Sequence, residues 1–404
     1  MIRPYKHVVA QAGISLTLAL VMTLGLGVSI ASAGTKQIKD MVSEPVINPA
    51  INVTQQVELD SKSAENITST KINATLDTMP SIPLERFAPV VYKDTVAWVE
   101  RIGADYEICV AEVYGSEVKY AYQATQDNFD QAYPSIYGDR IVWDDDSTGK
   151  RSIVVFKHSA NPVERQTKVF ASAYNDTDPN IFENLIVFQR KMADGGHEIM
   201  LYELDSSNNI AKTTQITSNR ADDTLPVIYG NTIVWQRKNA GTGWDLYKYE
   251  IGKSQVNGEP LYVGNGDQVF PSVGGYKENG SDKLMVVWED WRDEDKSQVY
   301  FNVLGTNTIA AVAPSKAMQI DPITSGGAIV WAEQGNKGKW MIKIFDAQKP
   351  KNPSGKPVVE VISQDSALDH YFPALHLGRV VWTTEEKLGQ ENVYFKLYNQ
   401  IVSQ

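Results

Sequence analysis

Residues 226–235 read Pro-Val-Ile-Tyr-Gly-Asn-Thr-Ile-Val-Trp, and variants of this segment recur seven times along the chain. Each copy begins with a proline, and the spacings between consecutive prolines are 45, 45, 47, 45, 51 and 51 residues: Pro89, Pro134, Pro179, Pro226, Pro271, Pro322 and Pro373. In six copies an aromatic residue stands nine positions after the proline: Trp98, Trp143, Phe188, Trp235, Trp331 and Trp382. The fifth copy reaches Trp288 after eight additional residues. A strand-rich repeat of about 40 to 50 residues is typical of a β-propeller.

The fourth copy shows how one repeat is built. Residues 225–229 form an apolar innermost strand, and Gly230 or Asn231 supplies the positive φ that a tight turn needs. Residues 232–235 are a β-branched second strand, and residues 245–249 alternate apolar and polar as a half-buried third strand does. With an outer strand before the next proline, the repeats predict an all-β, seven-bladed propeller of four-stranded antiparallel blades over residues 71–404. Six or eight blades are the alternatives.

The last repeat is short of its outer strand. A matching segment, residues 72–76 with the sequence Ile-Asn-Ala-Thr-Leu, lies at the right distance before Pro89. We expect this N-terminal strand to complete the last blade and close the ring, because an open ring leaves a sheet edge exposed.

The N-terminus is typical of an exported protein. Arg3 and Lys6 precede an apolar stretch over residues 12–30, and Ala31-Ser32-Ala33 supplies small residues for cleavage. We therefore predict a signal peptide over residues 1–33, a flexible polar arm over residues 34–70 and no membrane insertion after cleavage. The protein would be secreted, on the cell surface or periplasmic. An uncleaved anchor is the alternative, since about twenty apolar residues can just span a bilayer.

Composition narrows the class of partner. The formal net charge of -11 argues against nucleic-acid binding, which needs clustered Lys and Arg. The only cysteine is Cys109, so no internal disulfide is expected. We expect a monomer that binds a protein or a glycan at the cell envelope.

The repeat pattern Pro-x-Ile-x-Gly-x-x-Ile-Val-Trp, followed by a polar loop and Asp-Leu-Tyr-x-Tyr, resembles the TolB-like (WD40-like, PD40) β-propeller repeats. Such repeats occur in secreted and cell-surface proteins of bacteria and archaea. The resemblance covers residues 71–404 and implies the fold, whereas the family serves many functions. TolB itself carries an α/β domain before its propeller, and the arm here shows no helical pattern, so the resemblance does not imply a Tol-system component.

The repeat tryptophans are expected to pack between blades, since each buries a large apolar area there. Trp291 and Trp340 lie outside the pattern, and although they are better candidates than the repeat tryptophans for an exposed aromatic contact, we expect them to pack as well. The loops after each repeat aromatic and the loops leading to each proline should share one face of the ring, where loops carry binding residues. The candidate binding residues on this face are Arg101, Tyr133, Asp144, Asp145, Arg190, Arg237, Glu289, Arg292, Glu333 and Tyr371. Their mixed charges and aromatic rings suit a sugar or a peptide, and a solvated rim with salt bridges between blades is the alternative.

Enzyme signatures are mostly absent. The sequence has no Gly-x-Ser-x-Gly elbow, no His-Glu-x-x-His and no phosphate loop. The histidines beyond the signal segment occupy unmatched positions in different repeats, which disfavours a metal-dependent lyase. We therefore predict a non-catalytic binding or scaffold module with no catalytic residue, metal or cofactor. A carbohydrate-active enzyme, a glycoside hydrolase or polysaccharide lyase with carboxylates in the central funnel, is the alternative.

Overall fold

The computed structural model describes residues 70–72, 85–253, 256–293, 295–306, 308–335, 338–347, 358–363, 367–387 and 390–398. The chain divides into two compact units, residues 1–50 and 51–404, and all described residues belong to the second. The predicted signal peptide and nearly all of the predicted arm therefore lie outside the described residues. Within the described part, no helix is long and apolar enough to cross a membrane.

The described strands form seven four-stranded antiparallel sheets, which confirms the predicted seven-bladed propeller. Blades 1 to 3 consist of β2 (Arg86–Tyr92), β3 (Thr95–Ile102), β4 (Asp105–Tyr114) and β5 (Glu117–Gln123); β6 (Gln131–Tyr137), β7 (Arg140–Asp145), β8 (Ser152–Lys157) and β9 (Gln166–Phe170); and β10 (Asn175–Phe182), β11 (Leu185–Lys191), β12 (His197–Leu204) and β13 (Ile210–Gln215). Blades 4 to 6 consist of β14 (Asp222–Tyr229), β15 (Thr232–Asn239), β16 (Gly243–Glu250) and β17 (Glu259–Tyr262); β18 (Gln268–Glu278), β19 (Ser281–Asp293), β20 (Lys296–Val303) and β21 (Ile309–Ala311); and β22 (Gln319–Ser325), β23 (Ala328–Gln334), β24 (Trp340–Asp346) and β25 (Val359–Val361). Blade 7 consists of β26 (Asp369–His376), β27 (Arg379–Lys387), β28 (Gln390–Leu397) and the first strand of the chain, β1 (Thr70–Lys71). A 3-10 helix, Pro162–Glu164, lies between β8 and β9.

Strand direction defines two faces of the ring. Because consecutive strands are antiparallel, the loops after each second strand and the loops that lead into the next blade lie at the same end of the blades. We call this end the upper face. The hairpins between first and second strands lie on the opposite, lower face.

Blade 7 receives its fourth strand from the N-terminal side. Thr70 pairs with Phe395, Lys71 pairs with Tyr394, and the Ile72 N–H donates to the Val393 carbonyl at 2.9 Å. Residues 73–76 lie outside the described part. Closure by the predicted strand, residues 72–76, therefore stays a prediction.

The repeat aromatics lie between blades, as predicted. Trp98, Trp143, Trp235, Trp288, Trp331, Trp382 and Phe188 are all at most 1% exposed. All of them except Trp143 belong to a cluster with apolar residues of the preceding blade; Trp235, for example, packs with Val187 and Ile199 of blade 3. Burial of side chains this large supplies much of the apolar stabilisation between blades.

Every innermost strand contains a β-bulge just before its proline. The residue preceding each proline has a φ of 48 to 53°: Ala88, Tyr133, Asp178, Leu225, Phe270, Asp321 and Phe372. The register shifts at the same place; in blade 4, Thr224 pairs with Gln236 and the next pair is Val227 with Val234. Because the bulged residue leaves the ladder, its N–H is turned away from its own blade. The sequence analysis located the prolines and missed these bulges, since none of the seven residues is a glycine.

The eight additional residues of the fifth repeat lengthen one hairpin. In blade 5, β18 and β19 continue pairing as far as Glu278 and Ser281 on the lower face, and residues 277–282 are exposed. The core of blade 5 keeps the register of the other blades.

Candidate functional site

A buried polar pair closes the upper end of every blade. The residue three before each proline faces, across the first two strands, the residue two after each repeat aromatic. The seven pairs are Arg86–Glu100, Gln131–Asp145, Asp176–Arg190, Asp223–Arg237, Gln268–Asp290, Gln319–Glu333 and His370–Thr384. We call this set the polar frame. It contains four of the predicted binding residues, Asp145, Arg190, Arg237 and Glu333.

In blades 1, 4 and 6 the tryptophan indole donates a hydrogen bond to the acid of the polar frame, whichever strand carries that acid. In blades 1 and 6 the Trp Nε1 donates to the second-strand acid, from Trp98 to Glu100 at 2.9 Å and from Trp331 to Glu333 at 3.2 Å. In blade 4 the acid stands on the first strand instead, and Trp235 donates to Asp223 at 2.8 Å. Acid and cation have thus exchanged strands together, which keeps every buried charge paired.

The residue directly after the repeat aromatic links neighbouring blades. In four blades its side chain accepts a hydrogen bond from the backbone N–H of the bulged residue in the next blade, which is the residue that precedes the proline. These links are Asp144 to Asp178 at 3.0 Å, Gln189 to Leu225 at 2.9 Å, Gln236 to Phe270 at 3.0 Å and Glu289 to Asp321 at 2.7 Å. Burial raises the pKa of Asp144 to about 6, although Arg151 at 2.7 Å opposes the shift. The predicted binding residues Asp144 and Glu289 therefore have structural contacts in this fold, and a role in binding stays a prediction.

Three of the predicted residues form equivalent units in blades 3, 4 and 5. Arg190, Arg237 and Arg292 each donate through Nε and Nη2 to one buried aspartate, at distances between 2.6 and 3.1 Å. Each guanidinium also contacts a third-strand tyrosine: Arg237 and Arg292 lie 4.0 Å from the rings of Tyr247 and Tyr300, and Arg190 Nη2 donates to the Tyr202 hydroxyl. In blade 5 the arginine is four rather than two residues after the tryptophan, yet it makes the same contacts.

An open groove lies beside these units on the upper face, between blades 4 and 5. Its volume is about 940 Å³, within the usual range of ligand sites. The lining residues are Lys238, Asn239, Ala240, Gly241, Thr242, Gly243, Asn265, Gly266 and Arg292. Two of its glycines have a positive φ that L side chains rarely adopt, +97° at Gly243 and +73° at Gly266, and at Gly266 a Cβ would also lie 2.3 Å from the Trp291 carbonyl oxygen. The groove was not foreseen from the sequence; its signal was the Gly-rich loop after β15.

The remaining predicted residues are dispersed around the ring. Arg101 pairs with Glu85 at 3.0 Å, and Tyr133 is a bulge residue. Burial, with Asp369 nearby, raises the pKa of Tyr371. Its ring centroid lies 6.4 Å from that of Trp340, which is buried rather than exposed. Trp291 is partly buried and donates to Glu289 at 3.3 Å. Of the predicted binding residues, Arg292 alone lines the groove, and Arg190 and Arg237 occupy the equivalent units of blades 3 and 4.

Aromatic rings line the lower part of the ring's centre. His376, Tyr92, Tyr137, Phe182 and Tyr229, from five consecutive blades, contact one another with centroid separations of 4.3 to 4.8 Å. The arc ends at blade 5, where Tyr229 lies against Gly275 so closely that a Cβ would be 2.4 Å from the ring. These rings therefore form an aromatic arc around the lower centre.

One group of carboxylates lies where blade 7 meets blade 1. Burial, followed by the charges of Glu385 and Glu85, raises the pKa of Glu391 to about 8. Glu385 and Glu391 are direct cross-strand partners. Among the described residues, no group of three or more His, Cys, Asp or Glu side chains is placed to hold a metal ion.

Solved structures similar to this chain are propellers. The β-propeller domain of the Trilobed protease from Pyrococcus furiosus superposes with a TM-score of 0.54 at 13% identity, covering 79% of this chain and 99% of that domain. Acylaminoacyl peptidase from Pyrococcus horikoshii gives a TM-score of 0.54 at 12% identity, over 79% of this chain and 53% of the peptidase. This chain thus spans about half the length of the peptidase.

TolB from Acinetobacter baumannii is also similar, with a TM-score of 0.47 at 16% identity over 70% of this chain and 66% of TolB, a likeness too low to add to the assignment. No protein-family model matches the chain, and no curated protein matches its sequence. At 12 and 13% identity the two closer superpositions show the fold alone, and that fold is a seven-bladed β-propeller.

Proposed function

We propose that this chain is an exported β-propeller that binds a partner at the cell envelope without chemical turnover, through the upper face of blades 3 to 5. The groove between blades 4 and 5 carries the proposal. It combines a ligand-sized volume with a rigid glycine-shaped wall and several polar groups. The predicted signal segment supports export, and the peptidase activity of the similar structures is not carried to this chain.

A variant that fills the groove tests the proposal. Ala240 is exposed at the groove, and Ala240→Trp would occupy it without disturbing a buried contact. We expect this variant to lose capture of the envelope component that the unmodified residues 34–404 retain. Val163→Trp is the matched control, since Val163 is 82% exposed on the lower face. Equal capture by both variants would contradict the proposal.

A carbohydrate-active enzyme is the second candidate, and the Glu385–Glu391 pair favours it. Two neighbouring carboxyl groups, one of them with a raised pKa as in Glu391, are the arrangement that glycoside hydrolysis uses. Release of reducing ends from envelope polysaccharide, abolished by Glu391→Gln and by Glu385→Gln, would establish this function in place of simple binding. Capture without any release of reducing ends would exclude it.

A further inference from the structure

We infer that the upper face of blades 3 to 5 recognises an uncharged, hydroxyl-rich glycan through the Nη1 groups of Arg190, Arg237 and Arg292. This inference rests on the proposed function, because it names the class of ligand for the same face.

The three guanidinium groups are held in place before any ligand arrives. Each is fixed along its Nε–Nη2 edge by a buried aspartate: Asp176, Asp223 and Asp290 are at most 1% exposed. The tyrosine contacts hold the plane of each guanidinium. Because the rotamers of each arginine side chain are already restricted, little conformational entropy is lost when a ligand binds.

This arrangement leaves one nitrogen of each arginine available. Among the described residues, Nη1 of Arg190, Arg237 and Arg292 makes no hydrogen bond, whereas Nε and Nη2 of all three do. The arginines of blades 1 and 2 differ. Nη1 donates to the Ile72 carbonyl in Arg86, to Glu85 in Arg101 and to Asp144 in Arg151, each within 3.0 Å. Three consecutive blades thus carry the same unused donor, on side chains that are 13, 10 and 37% exposed in Arg190, Arg237 and Arg292.

The charge around these donors favours an uncharged ligand. A bidentate aspartate already neutralises each guanidinium, so Nη1 acts as a directional donor rather than as a free positive charge. The acids of the nearby loops each lie beside a basic side chain: Asp222 is 2.8 Å from His197, Asp267 is 3.9 Å from Lys238, and Asp293 is 3.6 Å from Lys296. Because the cations here are matched by acids, this face offers a polyanion little net attraction, whereas sugar hydroxyl and ring oxygens accept from Nη1 without needing one.

The surroundings favour a glycan over a protein. Ala240 is the only lining residue of the groove with an apolar side chain, whereas protein interfaces depend on buried apolar or aromatic anchors. Tyr174 is 39% exposed, and its ring centroid lies 5.0 Å from the Arg190 guanidinium. An exposed ring beside a fixed donor can contact the C–H face of a sugar while the donor binds its hydroxyls. Donors on successive blades suit an extended oligosaccharide.

Binding of defined oligosaccharides tests this inference. The probes are neutral hexose oligosaccharides, hexuronate oligosaccharides of the same lengths and a set of soluble peptides, measured by calorimetry with residues 34–404. We expect the neutral oligosaccharides to bind with little dependence on salt, because no net charge is neutralised. Arg190→Lys, Arg237→Lys and Arg292→Lys should each weaken binding roughly three- to tenfold, since lysine keeps the charge and loses the placed donor.

Two variants separate binding from folding. Arg86→Lys alters an equally buried pair in blade 1 whose arginine has no unused Nη1, so it should lower the melting temperature without changing affinity. Tyr174→Ala removes an exposed ring, and we expect an intact fold with affinity reduced several-fold. Unchanged affinity in Tyr174→Ala and in all three arginine variants would overturn the inference.

The outcomes also distinguish this inference from the proposed function. Preferential binding of the hexuronates, or of peptides, would overturn the glycan class while leaving a groove-dependent binding module in place. If no probe binds but an envelope protein is captured in a groove-dependent way, the glycan class would likewise be overturned and the binding module would stay in place. Loss of groove-dependent capture altogether would remove the proposed function itself.

Discussion

At the scale of single residues, the polar frame shows how a repeat tolerates opposite charges at one position. The buried pair in blade 1 has its cation on the first strand and its acid on the second, and blade 4 has the reverse. The tryptophan N–H can donate to an acid on either strand, as it does in blades 1 and 4. What the position requires is therefore a compatible polar pair and not a particular residue, although in blade 2 the Trp143 Nε1 and the Gln131 Oε1 have no hydrogen-bond partner among the described residues.

Asp223→Ala should be severely destabilising. The change leaves the Arg237 guanidinium buried without its acid and the Trp235 N–H without its acceptor. Breaking a buried ion pair costs about 3–5 kcal/mol of unfolding free energy, which urea denaturation can measure. Lys212→Ala, which breaks an exposed pair with Glu203, should cost less than about 1 kcal/mol. Equal losses for the two variants would refute this account.

A paired replacement should recover much of that loss. Asp223→Gln combined with Arg237→Glu reproduces two of the contacts on Glu333 in blade 6, those from Gln319 and Trp331, whereas the third, from Lys343 at 2.6 Å, has Tyr247 at the equivalent place in blade 4. We expect the double variant to be more stable than Asp223→Ala by at least about 1 kcal/mol in urea denaturation. Destabilisation equal to that of Asp223→Ala would show that the frame is specific to each blade.

These pairs could have been read from the sequence, unlike the groove. The positions three before the proline and two after the aromatic vary together across the seven copies, as Arg with Glu, Gln with Asp or Glu, and Asp with Arg. The sequence analysis compared the residues after each aromatic among themselves, so it assigned Asp145, Arg190, Arg237 and Glu333 to a rim without their partners. The groove depends on how loops of two blades meet, which no single repeat encodes.

At the scale of elements, all seven blades share one strand arrangement, and the hairpin between the first and second strands can be lengthened without changing it. Strand spacing, aromatic burial and blade number were predictable because apolar periodicity and the fixed proline interval determine them. The bulges were not predictable, because a non-glycine residue adopts positive φ only when the surrounding structure imposes it. In blade 5 the additional residues extend a regular ladder and leave the core register intact.

Deletion of residues 276–283 should therefore be tolerated. It joins Gly275 to Leu284 and restores the interval of nine residues between Pro271 and Trp288. Because most of the removed residues are exposed, we expect the free energy of unfolding to change by less than about 1 kcal/mol. Circular dichroism and thermal unfolding would test this. Removal of residues 284–291, which include buried strand residues, is the control and should abolish folding.

At the scale of the whole propeller, the links between blades are unequal. The side chain after the repeat aromatic binds the next blade at four consecutive interfaces, from blades 2 and 3 to blades 5 and 6. At the other three interfaces this position holds Val99, Ala332 and Thr383, and within the described residues none of them makes the bond. The interface between blades 7 and 1 is held instead by Arg379 with Asp94 at 2.6 Å and by the apolar cluster around Ile72.

Ile72→Asp should weaken this junction. Ile72 is fully buried in a cluster that joins Trp98 of blade 1 to Val381 and Phe395 of blade 7. A carboxylate placed there lacks a partner, and we expect a loss of several kcal/mol of unfolding free energy, about 3 or more. Val163→Asp at an exposed site is the control. An unchanged melting temperature would show that the N-terminal segment does not close the ring.

The same junction should respond to pH through Glu391. Its pKa in the folded protein, about 8, lies above the ordinary value of 4.5, so ionisation opposes folding increasingly as pH rises between these values. Glu391→Gln mimics the protonated form. We expect the variant and the native protein to have the same melting temperature at pH 5. The melting temperature of the variant should exceed that of the native protein at pH 7, and by the largest amount at pH 9. A constant difference across this range would contradict the assigned environment.

The neutral members of the polar frame indicate how its charges came to be exchanged between strands. A duplicated blade with Arg on its first strand cannot change directly to Asp there, because two buried acids would then oppose each other. Glutamine donates to the acid it faces in blades 2 and 6 without adding charge, and in blade 5 Gln268 faces Asp290 while donating to the carbonyls of Asn265 and Gly266. Such pairs would let an acid and a cation change strands without two buried acids ever facing each other. If the repeats diverged by that route, blades 2, 5 and 6 keep its amide-bearing form.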